Sequence, residues 1–270
     1  MGSNFPVAFP SPLTGWPVKE SELDIWAQFK LENKTLNLLV ECKKNNPIFV
    51  DWIFFPDDIE SRTRFLLLPE VNVHHELDDK YRVSLHISYA NRDVFKRKLN
   101  NPVQFASQGR ETRGKYAQYQ NASDKTKTSN AAIEEAAYQV ALATQAMILS
   151  TLKVVDEHKN APPWRQQIFV PVVVTTANLF KCDFEPSQVN PATGEIPYAS
   201  ANLKRCPYLV FFYPLRPHLQ DMEASVKGTG KTLVLQHERI PIFIVHSEQF
   251  TNFLIDLGKV STELFSPLPN

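Results

Sequence analysis

The chain has 270 residues and a formal net charge of zero, with 29 Lys and Arg against 29 Asp and Glu. With 43% apolar and 21% charged residues it has the composition of a globular protein with a sizeable core; a disordered chain and a uniformly basic nucleic-acid coat are both excluded. Glycine is scarce (8) while proline (20) and phenylalanine (18) are abundant, which argues against a glycine-rich nucleotide-binding fold and for long irregular connections.

Cys42, Cys182 and Cys206 lie far apart with no CxxC pair, so a reduced, cytoplasmic protein is expected; Cys182 and Cys206 form no zinc pattern and read as packing cysteines. No apolar run reaches the roughly 18 residues of a membrane span, so a membrane is not an expected partner. The N-terminus has no basic region followed by an apolar stretch, and Pro6 stands where an N-myristoylation signal wants Ser or Thr.

Residues 1–17 carry four prolines and are predicted to be irregular. Residues 22–29 then alternate: Leu23, Ile25, Ala27 and Phe29 point one way, Asp24, Trp26 and Gln28 the other. Residues 35–44 alternate again, with Leu36, Leu38, Val40 and Cys42 on one face and Asn37, Leu39, Glu41 and Lys43 on the other. The polar stretch Lys30–Lys34 between them makes this a β-hairpin. With the turn centred on Glu32-Asn33, Asp24 faces Glu41 across the hairpin and Lys43 shares their face. The apolar opposite face pins that register.

Further strands are predicted at 49–55, 64–69 and 81–89. Segment 51–90 is acidic, with eight Asp and Glu against four Lys and Arg, and segment 91–127 is basic, with nine against three. The second reads as a mobile basic loop. A long helix is predicted at 131–157, capped by Asn130, with Glu134 and Glu135 at its positive end and a stripe of Ile133, Ala137, Val140, Thr144, Ile148 and Leu152. The apolar run 168–174 reads as a buried strand. Strands near 179–184, 208–214 and 232–245 and a final helix at 248–260 complete the chain.

Two motifs are set aside. Lys227–Thr232 ends like a phosphate-binding loop, but Ser225 stands where a glycine is required and a strand, not a helix, is predicted next. His74, His75, Glu76, Asp78 and Asp79 have no recognised ligand spacing and read as a solvated acidic loop.

The hairpin is the feature that can carry chemistry. Two carboxylates roughly 5 Å apart repel, and a hard cation relieves that repulsion. A neighbouring lysine can orient or deprotonate a metal-bound water and offset the charge of a phosphorane.

Asp24 on one strand followed by Glu41-Cys42-Lys43 on the next resembles the PD-(D/E)xK nuclease superfamily, over roughly 15–174. The resemblance implies a restriction-endonuclease-like α/β core, a central mixed β-sheet flanked by helices. Its three strands would be Gly15–Glu20, Glu22–Phe29 and Thr35–Lys44, followed by a long insertion (45–130), the helix at 131–157 and the strand at 168–174. Residues 1–175 would form the core and 176–270 an α/β extension packed on it. It implies Mg²⁺ (or Mn²⁺) held by Asp24, Glu41 and the Cys42 backbone carbonyl, with Lys43 assisting the attacking water, in hydrolysis of DNA phosphodiester bonds. Lys96, Arg97, Lys98, Arg110, Arg113 and Lys115 would contact the phosphates of the DNA partner. The family's N-terminal helix has no counterpart in residues 1–14, so a homodimer, another partner protein or upstream sequence is expected to supply it. The alternative expectation is an inactive nuclease-like scaffold that binds DNA or a protein.

Overall fold

The computed structural model describes residues 5–7, 21–31, 34–45, 47, 49–56, 65–76, 80–91, 103–112, 131–154, 164–188, 191–192, 202–226, 231–236 and 238–264. These form a mixed α/β chain made mostly of strands. In order they are β1 (Phe5–Val7), β2 (Ser21–Leu23), β3 (Ile25–Leu31), β4 (Lys34–Lys43), β5 (Asp51–Phe55), β6 (Phe65–Glu76), β7 (Lys80–Asn91), β8 (Gln104–Ala106) and β9 (Gln108–Thr112). Helix α1 (Ala131–Val154) precedes β10 (Trp164–Thr175), β11 (Asn178–Asp183), β12 (Asn202–Arg205) and β13 (Tyr208–Pro214). Then come the single turn α2 (Pro217–Gln220), β14 (Asp221–Val226), β15 (Lys231–Gln236), β16 (Arg239–His246) and α3 (Phe250–Leu264). Among the described residues no helix is long and apolar enough to cross a membrane.

The main sheet runs β3–β4–β10–β16–β13–β8, with β6 and β7 joined to it through β10. β4 is antiparallel to β3 and parallel to β10, and β10 is parallel to β16. The β3–β4 register pairs Ile25 with Val40 and Leu31 with Lys34, as the alternation predicts. Helices cover both faces. Leu39, Phe169 and Val173 pack in one cluster with α1, while Leu36, Leu38, Val40, Val170 and Val172 pack in another with Phe253, Leu257 and Val260 of α3. Burial on both faces is why β10 reads as a continuous apolar run rather than an alternation.

Among the described residues five prolines lie in strands: Pro6 in β1, Pro69 in β6, Pro171 in β10, Pro214 at the end of β13 and Pro241 in β16. Pro171 falls between the part of β10 that pairs with β6 (Trp164–Ile168) and the part that pairs with β16 (Val172–Thr175). Pro69 immediately precedes the stretch of β6 that pairs with β10, and Pro241 comes before the stretch of β16 that does so. A residue without an N–H is tolerated where that strand edge changes or gains a partner. Proline content therefore reflects partner switching within the sheet as well as irregular connections.

A second sheet, β12–β11–β5–β9, is reached by strands leaving the first. Only Ser107 separates β8, beside β13, from β9, beside β5, and its amide donates to the Phe55 carbonyl at 3.2 Å. Trp52, Phe54 and Leu179 from this sheet share the α1 cluster with Leu209 and Phe211 of the main sheet. Residues 104–112 are thus ordered strand, which corrects the expectation of a mobile loop there. Gly109 on β9 explains the close approach: a Cβ at this position would stand 3.0 Å from the Phe54 ring and 3.1 Å from Ile133 Cδ1. Both side chains are buried, so Gly109→Ala is expected to cost about 1–2 kcal/mol in denaturant unfolding. An unchanged midpoint would show that the packing yields freely.

Other expectations need correction. Residues 5–7, expected to be irregular, form β1, and the strand foreseen at 232–245 is two, β15 and β16, in different sheets. The strand foreseen at 22–29 breaks at Asp24, and its first part, β2, pairs with β1. The bend turns Leu23 into the α1 cluster (4% exposed) and leaves Ile25 (42%) and Phe29 (52%) exposed, because β3 is the edge strand and α3 packs over its neighbours. His74, His75 and Glu76 end β6 instead of lying in a loop. The final helix continues to Leu264, four residues beyond its expected end. Gly15–Glu20, Asn130 and Lys227–Gly230 lie outside the described residues; Lys231–Gln236 is a strand, as the rejection of a phosphate-binding loop requires.

Candidate functional site

The site forms where the β3–β4 hairpin passes the first turn of α1. Odd-numbered residues of β4 face that helix: Leu39 packs into the α1 cluster, and Lys43 reaches Glu135. Asn37 and Gln167, further down the same side, tie three strands together. Asn37 is fully buried; its Oδ1 accepts from Gln28 Nε2 at 2.9 Å and Trp26 Nε1 at 3.3 Å, and its Nδ2 donates to Gln167 Oε1 at 3.2 Å. This crosslink holds the floor of the hairpin under α1.

Glu41 comes next along the strand and is 7% exposed. Its Oε2 has no hydrogen-bond partner, although backbone and side-chain polar atoms in such surroundings are normally paired. Burial pushes its carboxyl up from 4.5 to about 7, the nearby charges of Asp24 and Glu135 add to this, and Lys43 opposes it. Asp24 is exposed at the bend between β2 and β3. The β3–β4 ladder stops at Ile25–Val40, so Asp24 does not complete a direct cross-strand pair with Glu41. Its Oδ2 instead accepts the Cys42 amide at 2.6 Å. The N–H and C=O of one strand residue address the same side, so the Cys42 carbonyl belongs to the edge where Asp24 stands. Burial and the two carboxylates also push the Cys42 thiol up, leaving it a poor nucleophile.

Lys43 is mostly buried, at 24% exposure, and its Nζ donates to Glu135 Oε2 at 2.6 Å. Just past β4 and β10, the Asn45 amide donates to Thr176 Oγ1 at 3.1 Å, and that hydroxyl donates back to Asn45 Oδ1. The two parallel strands are therefore fastened together at the end bearing the site.

The other side of the first turn of α1 is also charged. Arg110 on β9 and Arg216 after β13 are exposed, and both counter the rise that burial gives the Glu134 carboxyl. The Arg216 guanidinium lies 4.1 Å from the centre of the Tyr138 ring. Buried Glu111, on β9, accepts the Ala132 amide at the helix start. It thereby supplies the negative charge that a helix N-terminus favours.

The structure thus brings Asp24, Glu41, Cys42 and Lys43 together at one edge of the hairpin. Of the six basic residues expected to contact phosphate, Arg110 is the one among the described residues; Lys96, Arg97, Lys98, Arg113 and Lys115 lie outside them. Sequence reasoning read Glu135 only as a helix-dipole partner and did not single out Arg216 or Glu111. Their roles depend on contacts across 92, 78 and 21 residues respectively, which no local pattern encodes.

Among the described residues no three Asp, Glu, His or Cys side chains converge closely enough to hold an ion by themselves. A hard cation such as Mg²⁺ commonly takes one or two carboxylates and fills its shell with waters and substrate oxygens. Asp24, Glu41 and the Cys42 carbonyl suit that demand, and the unpartnered Glu41 oxygen is a donor atom in want of a ligand. No family model matches the chain, and no curated protein or solved structure shows significant similarity to it.

Proposed function

We propose that the chain is a Mg²⁺- or Mn²⁺-dependent nuclease that hydrolyses phosphodiester bonds in DNA, built on a restriction-endonuclease-like core. The observation that carries this reading is the buried, unpartnered Glu41 oxygen beside Asp24 and Lys43. The order of elements supports it: a strand that begins just after Asp24, an antiparallel strand bearing Glu41 and Lys43, then, after β5–β9, a long helix and a strand parallel to the second. Strand β4 would play the central part in such a core.

In this reading Asp24, Glu41 and the Cys42 carbonyl hold the cation. A cation held there would supply Lewis-acid polarisation of a phosphoryl group and would lower the pKa of an attacking water. Asp24 also orients the strand end through the Cys42 amide. Lys43, held at the side of the site, offsets the negative charge that grows on the phosphorus oxygens and orients the water. Arg110 and Arg216, exposed beside the same helix turn, would be the cations available to flanking phosphates.

The test is incubation of the purified chain with plasmid and linear DNA in Mg²⁺, Mn²⁺ or EDTA. Cleavage that requires the cation is the expected result. DNA binding without cleavage under either cation would favour the inactive scaffold instead.

A further inference from the structure

We infer that Glu135 is the positioning residue for Lys43, the element that turns a flexible lysine into a fixed positive charge at the hydrolytic site. The inference rests on the nuclease reading and deepens it.

Lysine carries four rotatable side-chain bonds and a compact charge that does not orient itself. Here the Nζ is held by a charge-assisted bond of 2.6 Å, at the short end of the range for ammonium and carboxylate. The anchor is rigid because of where it sits in α1. Ile133, Ala136 and Ala137, its neighbours along the helix, are 1% exposed or less and lock that turn into the core. Glu135 itself points outward, with its side chain 59% exposed, so it contributes little to that packing. Surface ion pairs of this kind add little stability. What the pair sets is position: a half-buried lysine with its head held toward the helix, two residues along the strand from the unpartnered Glu41 oxygen. A carboxylate on a helix that follows the hairpin by some 90 residues thus completes the constellation, in chain order well after the strand motif.

The experiment uses the full chain and compares wild type, Glu135→Ala and Glu135→Gln. In metal-free protein labelled with ¹⁵N-lysine, the Lys43 ammonium signal is identified as the one lost in Lys43→Arg. A held ammonium exchanges its protons slowly, so the signal should be visible in wild type, broadened away in Glu135→Ala and recovered in Glu135→Gln, whose amide oxygen still accepts. In Mg²⁺-dependent DNA cleavage, Glu135→Ala should lower kcat about 10- to 100-fold with KM for DNA within about twofold of wild type, and Glu135→Gln should regain most of it. Thermal midpoints should agree within about 1 °C. An unchanged ammonium signal in Glu135→Ala, or wild-type kcat, would overturn the inference, as would a loss that appears in KM alone. If wild type cleaves no DNA, the nuclease reading fails and the ammonium signal alone decides whether Glu135 positions Lys43.

Discussion

Glu41→Gln should abolish DNA cleavage, by at least about 10³-fold, while making the metal-free protein more stable above neutral pH. The two effects have one origin. Glu41 is a carboxylate kept in a buried place without a partner for one oxygen, and its carboxyl is pushed up from 4.5 to about 7. Between those two values the folded protein binds a proton that the unfolded chain releases. Stability therefore falls as pH rises through that window, and the full penalty is present above it. Below about pH 4.5 both states hold the proton and the penalty vanishes. Glutamine is neutral throughout, so the variant should gain on the order of 2 kcal/mol at pH 8 and nothing at pH 4, read from urea unfolding in EDTA. Adding Mg²⁺ at pH 8 should stabilise wild type and leave Glu41→Gln unmoved, because the cation supplies the positive charge the carboxylate lacks. A variant less stable than wild type at pH 8 would mean that Glu41 is a structural residue already satisfied by its surroundings.

Lys43→Ala should lower cleavage by about 10² to 10⁴-fold with little change in the fold. The lysine closes β4 beyond the last buried apolar residue of that strand, Val40, and its ion partner is exposed, so truncation opens no core cavity. Its removal takes away the positive charge nearest the two carboxylates. At a pH above the Glu41 titration, cation affinity should consequently rise or hold while kcat falls, a pattern that separates loss of chemistry from loss of metal. Removing the charge also leaves Glu41 without the one neighbour that counters its rise, so the pH at which the cation displaces the Glu41 proton should move upward. Cleavage equal to wild type would remove Lys43 from the mechanism and with it the main support for a hydrolytic site.

The parts of this site legible in the sequence are those written in local alternation. Period-two patterning placed Glu41 and Lys43 on one face and set the Ile25–Val40 register, though the ladder stops short of the Asp24–Glu41 pair it implied, and the helix stripe and apolar run located α1 and β10. What alternation could not express is context on either side of a strand. Ile25 and Phe29 are as apolar as Leu36 and Leu38, yet lie exposed because β3 is an edge. The bend at Asp24 reverses Leu23 relative to Ile25, which a two-residue period cannot anticipate. Residues 104–112 looked like loop because their partners, β13 and β5, lie far away in the chain and supply the burial that short polar strands lack. Pro171 is tolerated in a central strand because the partner along one edge changes from β6 to β16 at that point. Glu135 was visible as a helix-start carboxylate, but its pairing with Lys43 is a tertiary fact.

Whether Glu41 and its neighbours form a cation site is tested, without assuming a substrate, by titration calorimetry of metal-free protein with Mn²⁺ at pH 7 in two buffers of different ionisation enthalpy. Wild type should take up about one ion per chain with release of a fraction of a proton, and Glu41→Gln should take up none. Equal uptake by both proteins, or none by wild type at millimolar Mn²⁺, would contradict the cation site.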